Sequence, residues 1–280
     1  MKNRKLIIIL ITFLGIITLL LTILFVFLLS NKIKFNHFHF SFGNTISNEL
    51  VLDEHYEIVF EKININTNAS KIDVYESIDN DIRLVIHGDK DRTSVSTGDS
   101  ILDIVSNTKE CKGFCFNNKI GKVALYLPSN YDKNLVINNS FGDINVESFN
   151  KINVDISSDY GDVKVGNINS AIINQSCGDV NIGNVNDVNV KNSYGDIFIE
   201  SVTNYLDVND DCGDIKIRSI TLNKNSKINN NFGDIEIGST NEINIQATAS
   251  FGDVDINNNY KKSDITLKVT NDCGDIKINN

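Results

Sequence analysis

The residues of this chain that could do chemistry together are eight aspartates, each held in a phrase of aromatic or Cys, Gly, Asp, then Ile or Val. Phe141, Tyr160, Cys177, Tyr194, Cys212, Phe232, Phe251 and Cys273 open the eight copies, followed by Gly142-Asp143, Gly161-Asp162, Gly178-Asp179, Gly195-Asp196, Gly213-Asp214, Gly233-Asp234, Gly252-Asp253 and Gly274-Asp275. Successive glycines lie 19, 17, 17, 18, 20, 19 and 22 residues apart, a near-fixed period that marks stacked repeats. Carboxylates stacked about 4.8 Å apart repel by about 0.9 kcal/mol per neighbouring pair even at water's dielectric, so something demands Asp at this position. One chemistry is a calcium column, although calcium-binding β-rolls supply more oxygens per turn through Gly-Gly-x-Gly-x-Asp units. The other is structural: each carboxylate accepts N–H groups of its own turn, as Asp does in Asx-turns. The structural role is the expectation, with no metal or other cofactor.

Cysteine and histidine offer less. Stacked in chain order, Cys177 and Cys212 stand two coils apart, about 10 Å, and Cys212 and Cys273 three apart, about 14 Å, beyond the reach of a disulfide. Each acts in its column as a small hydrophobe. Cys111 and Cys115 are close enough to bridge across a small loop in an oxidising compartment, and two thiols alone make a poor zinc site. His37 and His39 would share one face of a strand but lack a third ligand.

The elements that position these residues are strands. Alternations such as Ile144-Asn145-Val146 follow each Gly-Asp and others, such as Ile152-Asn153-Val154-Asp155-Ile156, precede it. A repeat of about 18–20 residues has no room for a helical crossover, so the fold expected is all-β, a β-solenoid whose coils stack about 4.8 Å apart. Gly is expected at a positive-φ corner where a side chain would strike the neighbouring coil. Residues 131–280 form the regular Gly-Asp coils, and residues 56–130 the N-terminal capping coils, because terminal repeats must cover an exposed core. Within the cap, Ile65 to Val74 aligns with Ile137 to Val146, Ser70-Lys71 replacing Gly-Asp. Pro128, the single proline, closes the strand that leads into the array.

Before the cap, Leu6 to Leu29 runs 24 residues without a charge, enough for one N-terminal transmembrane helix. A cleaved signal peptide is the competing reading, but its apolar region is normally shorter and ends in small-x-small residues. Lys2, Arg4 and Lys5 favour a cytoplasmic N-terminus, residues 1–30 being tip and helix, and so an extracytoplasmic body. Residues 31–55 read as a stalk, with Phe35, Phe38, Phe40 and Phe42 near the interface. A formal net charge of -10 argues against nucleic acid as a partner.

The anchor, the degenerate opening coil, the strand Val123 to Pro128 and the Gly-Asp-Ile/Val coils together resemble the bacterial domain family known as "putative adhesin", a domain of unknown function. The resemblance covers roughly residues 57–280. It implies a right-handed β-solenoid tethered to the membrane, a non-enzymatic surface or envelope protein, and no catalytic residues to carry over. Some relatives are encoded beside cell-envelope-stress signalling systems, so an accessory role in such signalling is the alternative to an adhesin-like binding or scaffold module. A β-helical polysaccharide-active enzyme is the least favoured class. Such an enzyme needs an irregular cluster of carboxylates beside Arg, Lys or His, whereas Arg218 is the only arginine of the array and His87 the last histidine. Outward aromatics would favour an adhesin, yet Phe198, Tyr205 and Tyr260 are too scattered to form a stripe. The ending Ile276-Lys277-Ile278 is expected to be an uncovered coil that associates end to end with other copies.

Overall fold

A computed structural model describes residues 45–57, 59–109, 119–257 and 263–279. The expected transmembrane helix, His37, His39, Tyr260 and the Cys111–Cys115 pair lie outside the described residues. Among the described residues no helix is long and apolar enough to cross a membrane; apart from one 3-10 turn at Lys90–Arg92 the regular structure is strand.

The array is a stack of parallel strands in which each coil repeats the register of its neighbour. After the Gly-Asp corner, Ile144, Val163, Val180, Ile197, Ile215, Ile235, Ile276 and Val254 pair one on the next. Before the corner, Ile65, Ile137, Ile156, Ile173, Val190, Val208, Ile228, Val269 and Ala247 form a second ladder. A third runs Phe149, Ile168, Val185, Val202, Ile220. Period-2 alternation turns these side chains, mostly Ile and Val, inward, where nearly all are buried. Each buried Ile or Val is worth about 1.5–3 kcal/mol against exposure.

The coils do not stack in chain order at the far end. Phe232 pairs with Cys273, and Cys273 with Phe251, so the coil carrying Asp275 lies between those carrying Asp234 and Asp253. The Gly233 amide accordingly bonds the Cys273 carbonyl (3.0 Å) and the Gly274 amide the Phe251 carbonyl (2.9 Å). The chain keeps serial order as far as Asn241, whose amide bonds the Ile220 carbonyl, then skips one level, lays down Asn244–Phe251 and Val254–Ile256, and returns to fill the gap. The expectation of an uncovered final coil is therefore corrected: Ile276 and Ile278 are buried, and the end coil is 244–256. Cys212 and Cys273 are correspondingly two coils apart, not three.

At the opposite end, Ile65 pairs with Ile137 and Ile72 with Ile144, the register that the sequence alignment predicts. Ile101–Ser106 and Lys119–Pro128 form the next level, and antiparallel strands close it: Ile82–His87 on Lys119–Pro128, Thr93–Gly98 on Ile101–Ser106, and Leu50–Tyr56 on Ile82–His87. Thr45–Ile46 and Leu50–Tyr56, which the sequence assigns to the stalk, are thus strands of the folded unit. Tyr131 is buried where the array begins, and its hydroxyl donates to the Phe60 carbonyl at 3.0 Å.

Candidate functional site

The Gly-Asp corner forms one continuous edge, and three columns of side chains line it. The backbone at the corner leaves room for glycine alone. Gly195, for instance, has φ of +130°, and a Cβ there would overlap the carbonyl of Gly178 in the adjacent coil. This close approach, repeated coil after coil, brings each Asp within reach of its neighbour. Oδ1 of Asp143 accepts the amide of Asp162 (3.1 Å), Asp162 that of Asp179 (3.0 Å), and Asp179 that of Asp196 (2.9 Å). The series goes on through Asp214, Asp234 and Asp275 to Asp253. The bond runs between coils rather than within a turn, which corrects the Asx-turn expectation. It also explains how like charges tolerate the stack, since a fixed amide lies between successive carboxylates. All eight aspartates are exposed. Among the described residues, no group of three or more His, Cys, Asp or Glu is placed to hold a metal ion.

In seven of the eight coils, two residues before the Gly-flanking aromatic or Cys, lies a buried polar column that sequence reasoning missed: Asn139, Ser158, Gln175, Asn192, Asp210, Asn230 and Asn271, with Ala249 in the eighth. Their amides clamp corner carbonyls, as Asn192 Nδ2 does to Gly195 O (2.8 Å), Asn230 to Gly213 O (2.9 Å) and Asn271 to Gly233 O (2.8 Å). Ser158 and Asp210 are the exceptions: the Ser158 hydroxyl finds no well-formed partner, and an ionised Asp210 carboxylate has no hydrogen to give and neither of its oxygens has one either. Burial pushes its pKa up to about 7, the nearby Asp211 amide offsetting only part of the effect. The signal was present in the sequence as Asn, Gln, Ser or Asp two residues ahead of the phrase, hidden by the abundance of Asn elsewhere.

The third column is the residue before Gly, and it faces solvent. Tyr160 is 55% exposed, Tyr194 60%, Phe232 57% and Phe251 78%. In spatial order the edge reads Phe141, Tyr160, Cys177, Tyr194, Cys212, Phe232, Cys273, Phe251. From Tyr160 onward ring and thiol alternate strictly, an order that chain sequence conceals because Phe232 and Phe251 are consecutive there. This stripe is built from the residues before Gly; Phe198 and Tyr205, the outward aromatics weighed from the sequence, are not part of it. The three cysteines are free and half-buried, each a low step between two rings. Ser140, Asp159, Ser176 and Ser250, one residue earlier, expose hydroxyls and carboxylate alongside.

Chemically distinct groups gather instead in the cap. Arg83 makes a two-pronged ion pair with Asp53, both contacts 2.8 Å, which holds the exposed Asp53 carboxyl below its ordinary range, and stacks over Tyr126 at 5.5 Å. His55 Nδ1 lies 2.5 Å from Asp81. Both side chains are taken up in exposed pairs.

A family model covers residues 60–280, the cap and the whole array. The chain belongs to the Toastrack DUF4097 family. No curated protein matches this Toastrack chain. Among solved structures it is similar to a "putative lipid binding protein" from Parabacteroides distasonis, at 14% identity and a TM-score of 0.49, over 84% of this chain and 100% of that one. It is also similar to a "putative cell adhesion protein" from Clostridium sporogenes (15% identity, TM-score 0.26, 81% and 98% covered) and a "putative adhesin" from Bacteroides fragilis (15%, 0.31, 84% and 99%). The Toastrack match takes in the cap strands from Lys62 onward together with the Gly-Asp coils.

Proposed function

We propose that this protein is a non-enzymatic, adhesin-like module of the cell envelope, a right-handed β-solenoid held outside the membrane by an N-terminal anchor, whose exposed edge binds an extended, β-linked polysaccharide. The observation that carries this reading is the alternation of ring and thiol. Rings on every second coil stand about 10 Å apart, close to the advance of a disaccharide unit in an extended β-1,4-linked glycan. Alternate sugars can stack on Tyr160, Tyr194, Phe232 and Phe251, while the sugars between pass over the small cysteines. Stacking on an aromatic face contributes on the order of 1 kcal/mol per ring beyond area burial, so several rings in line give useful affinity without a deep pocket. The second Asp oxygens and the adjacent serines suit sugar hydroxyls, and the acidic edge disfavours an anionic polymer.

Co-sedimentation of the full chain, solubilised in detergent, with insoluble β-1,4-glucan or chitin tests the reading. The wild type should be retained, and replacing Tyr160, Tyr194 and Phe232 together by Ala should weaken retention at least tenfold. Equal retention of both proteins, or none of either, would overturn it. The orientation is tested separately by protease added to intact protoplasts, which should digest or release the domain; full protection contradicts an extracytoplasmic placement.

A further inference from the structure

The ring-bearing edge is bounded by acid on both sides, and those acids have no cation of their own. Two residues after each ring or thiol stands a column aspartate, exposed in all eight coils. In seven of them Oδ1 is taken up by the amide of the neighbouring coil, and among the described residues Oδ2 has no protein partner. One residue before the ring or thiol, Asp159, Asp211 and Asp272 add three more exposed carboxylates. Neither column contains a Lys or Arg. Elsewhere on the array acids are matched, as Glu236 is by Lys216 at 2.7 Å, Glu200 by Arg218 at 3.1 Å and Asp207 by Lys227 at 3.4 Å. Among the described residues no ion pair reaches a carboxylate of the two columns beside the rings. The outward cations nearest in sequence, Lys164, Lys191, Lys216 and Lys277, stand outside this lane, two residues beyond an aspartate or three before a ring.

The lane therefore offers one uncompensated carboxylate per coil, about 4.8 Å apart, beside a ring on every second coil. Since two coils match one disaccharide, each sugar of the bound chain meets one carboxylate. A sugar hydroxyl there makes a hydrogen bond charged on one side only. An ammonium group makes a charge-assisted bond with both partners ionised and relieves the repulsion between neighbouring coils. Each such exposed pair contributes little by itself, but a stiff polymer that brings one per sugar engages many at once.

We infer that the polymer this edge selects is a cationic amino glycan, a β-1,4-linked chain whose sugars carry free amines as ammonium groups, in preference to a neutral or N-acetylated chain. The inference rests on the glycan reading above and names the class of sugar that reading leaves open. The rings fix the spacing and supply stacking, and the flanking carboxylates choose the charge.

Isothermal titration of the full chain in uncharged detergent, with β-1,4-linked glucosamine and N-acetylglucosamine oligomers of equal length, tests it. At low salt the amino oligomer should bind at least about tenfold tighter, and the preference should collapse in molar salt. Replacing Asp162, Asp179 and Asp196 together by Asn keeps the oxygen that accepts each inter-coil amide, removes three charges from the lane and should bring the two affinities toward each other. If that variant does not fold, Asp159→Asn with Asp211→Asn and Asp272→Asn, outside the inter-coil amide series, should act in the same direction. Equal affinities, or tighter binding of the N-acetylated chain, would overturn the inference and leave the glycan reading standing. So would a preference that survives both salt and the Asn variants. Binding of the amino oligomer that is indifferent to loss of Tyr160, Tyr194 and Phe232 would be adsorption to an acidic surface, and overturns it too. Binding of neither oligomer would overturn the glycan reading itself and the inference with it.

Discussion

Asp210 occupies a position where its neighbours Asn192 and Asn230 donate to corner carbonyls, and it can do the same only when protonated. Its folded pKa of about 7 stands above the ordinary 3.8, so the folded state holds a proton that the unfolded chain releases. The resulting stability is complete below about pH 4, declines as pH rises toward 7 and is absent above. Asp210→Asn supplies the donor at every pH. It should stabilise the protein by a few kcal/mol at pH 8 and by little at pH 4, which urea titrations at the two values will read as a difference between variant and wild type. A uniform effect across pH would contradict the burial argument. The exposed Asp column obeys another rule, because its carboxylates accept amides between coils. Asp196→Ala should cost about 1–3 kcal/mol by stranding the Asp214 amide, and Asp196→Asn, which still accepts, should cost less. Melting temperatures should be indifferent to chelator and to millimolar calcium; a calcium-dependent rise of more than about ten degrees contradicts a purely structural column.

At the scale of elements, the coil order is the feature most open to direct chemical proof. Phe232 sits beside Cys273 in the ladder, whereas chain-order stacking would put them two coils apart, about 10 Å, beyond disulfide reach. In a Cys212→Ser, Phe232→Cys double variant, oxidation should therefore produce an intramolecular disulfide to Cys273, detected by mass spectrometry of the digest. Its absence under oxidation that modifies both thiols would favour chain order. The strands, their period and the register of Ile65 on Ile137 were legible in the sequence, since inward Ile and Val at period 2 admit one pairing and a slip by one residue would turn every one of them outward. The reversal of the last two coils was not, because every coil presents the same phrase to its neighbour and local pattern cannot rank them. Two clues were nevertheless there. Ala247 and Ala249 replace the Ile, Val and Asn of their columns in the coil that proves terminal, where less core remains to be filled. Exchanging Phe251 with Cys273 also restores the alternation of ring and thiol.

At the scale of the whole molecule, that reordering changes what the surface offers. The residues before each Gly look in sequence like a mixed apolar column suited to a core. Placed on a corner with the glycine backbones pressed together behind them, they have nowhere to go but outward. The inward row is already filled by the residues on either side, such as Ile156 and Val163 around Tyr160. Sequence alone could not separate these cases, as exposure here is set by the positive-φ turn and not by alternation. In the proposed binding mode rings two coils apart read a polymer two sugars at a time, and the most direct measurement is affinity against oligosaccharide length. Isothermal titration of the full chain with β-1,4-linked oligomers of increasing length should show affinity climbing in steps of two sugars, each step weakened when the next ring, Tyr194 after Tyr160 and then Phe232, is replaced by Ala. Affinity that ignores length, or that ignores those rings, would contradict it.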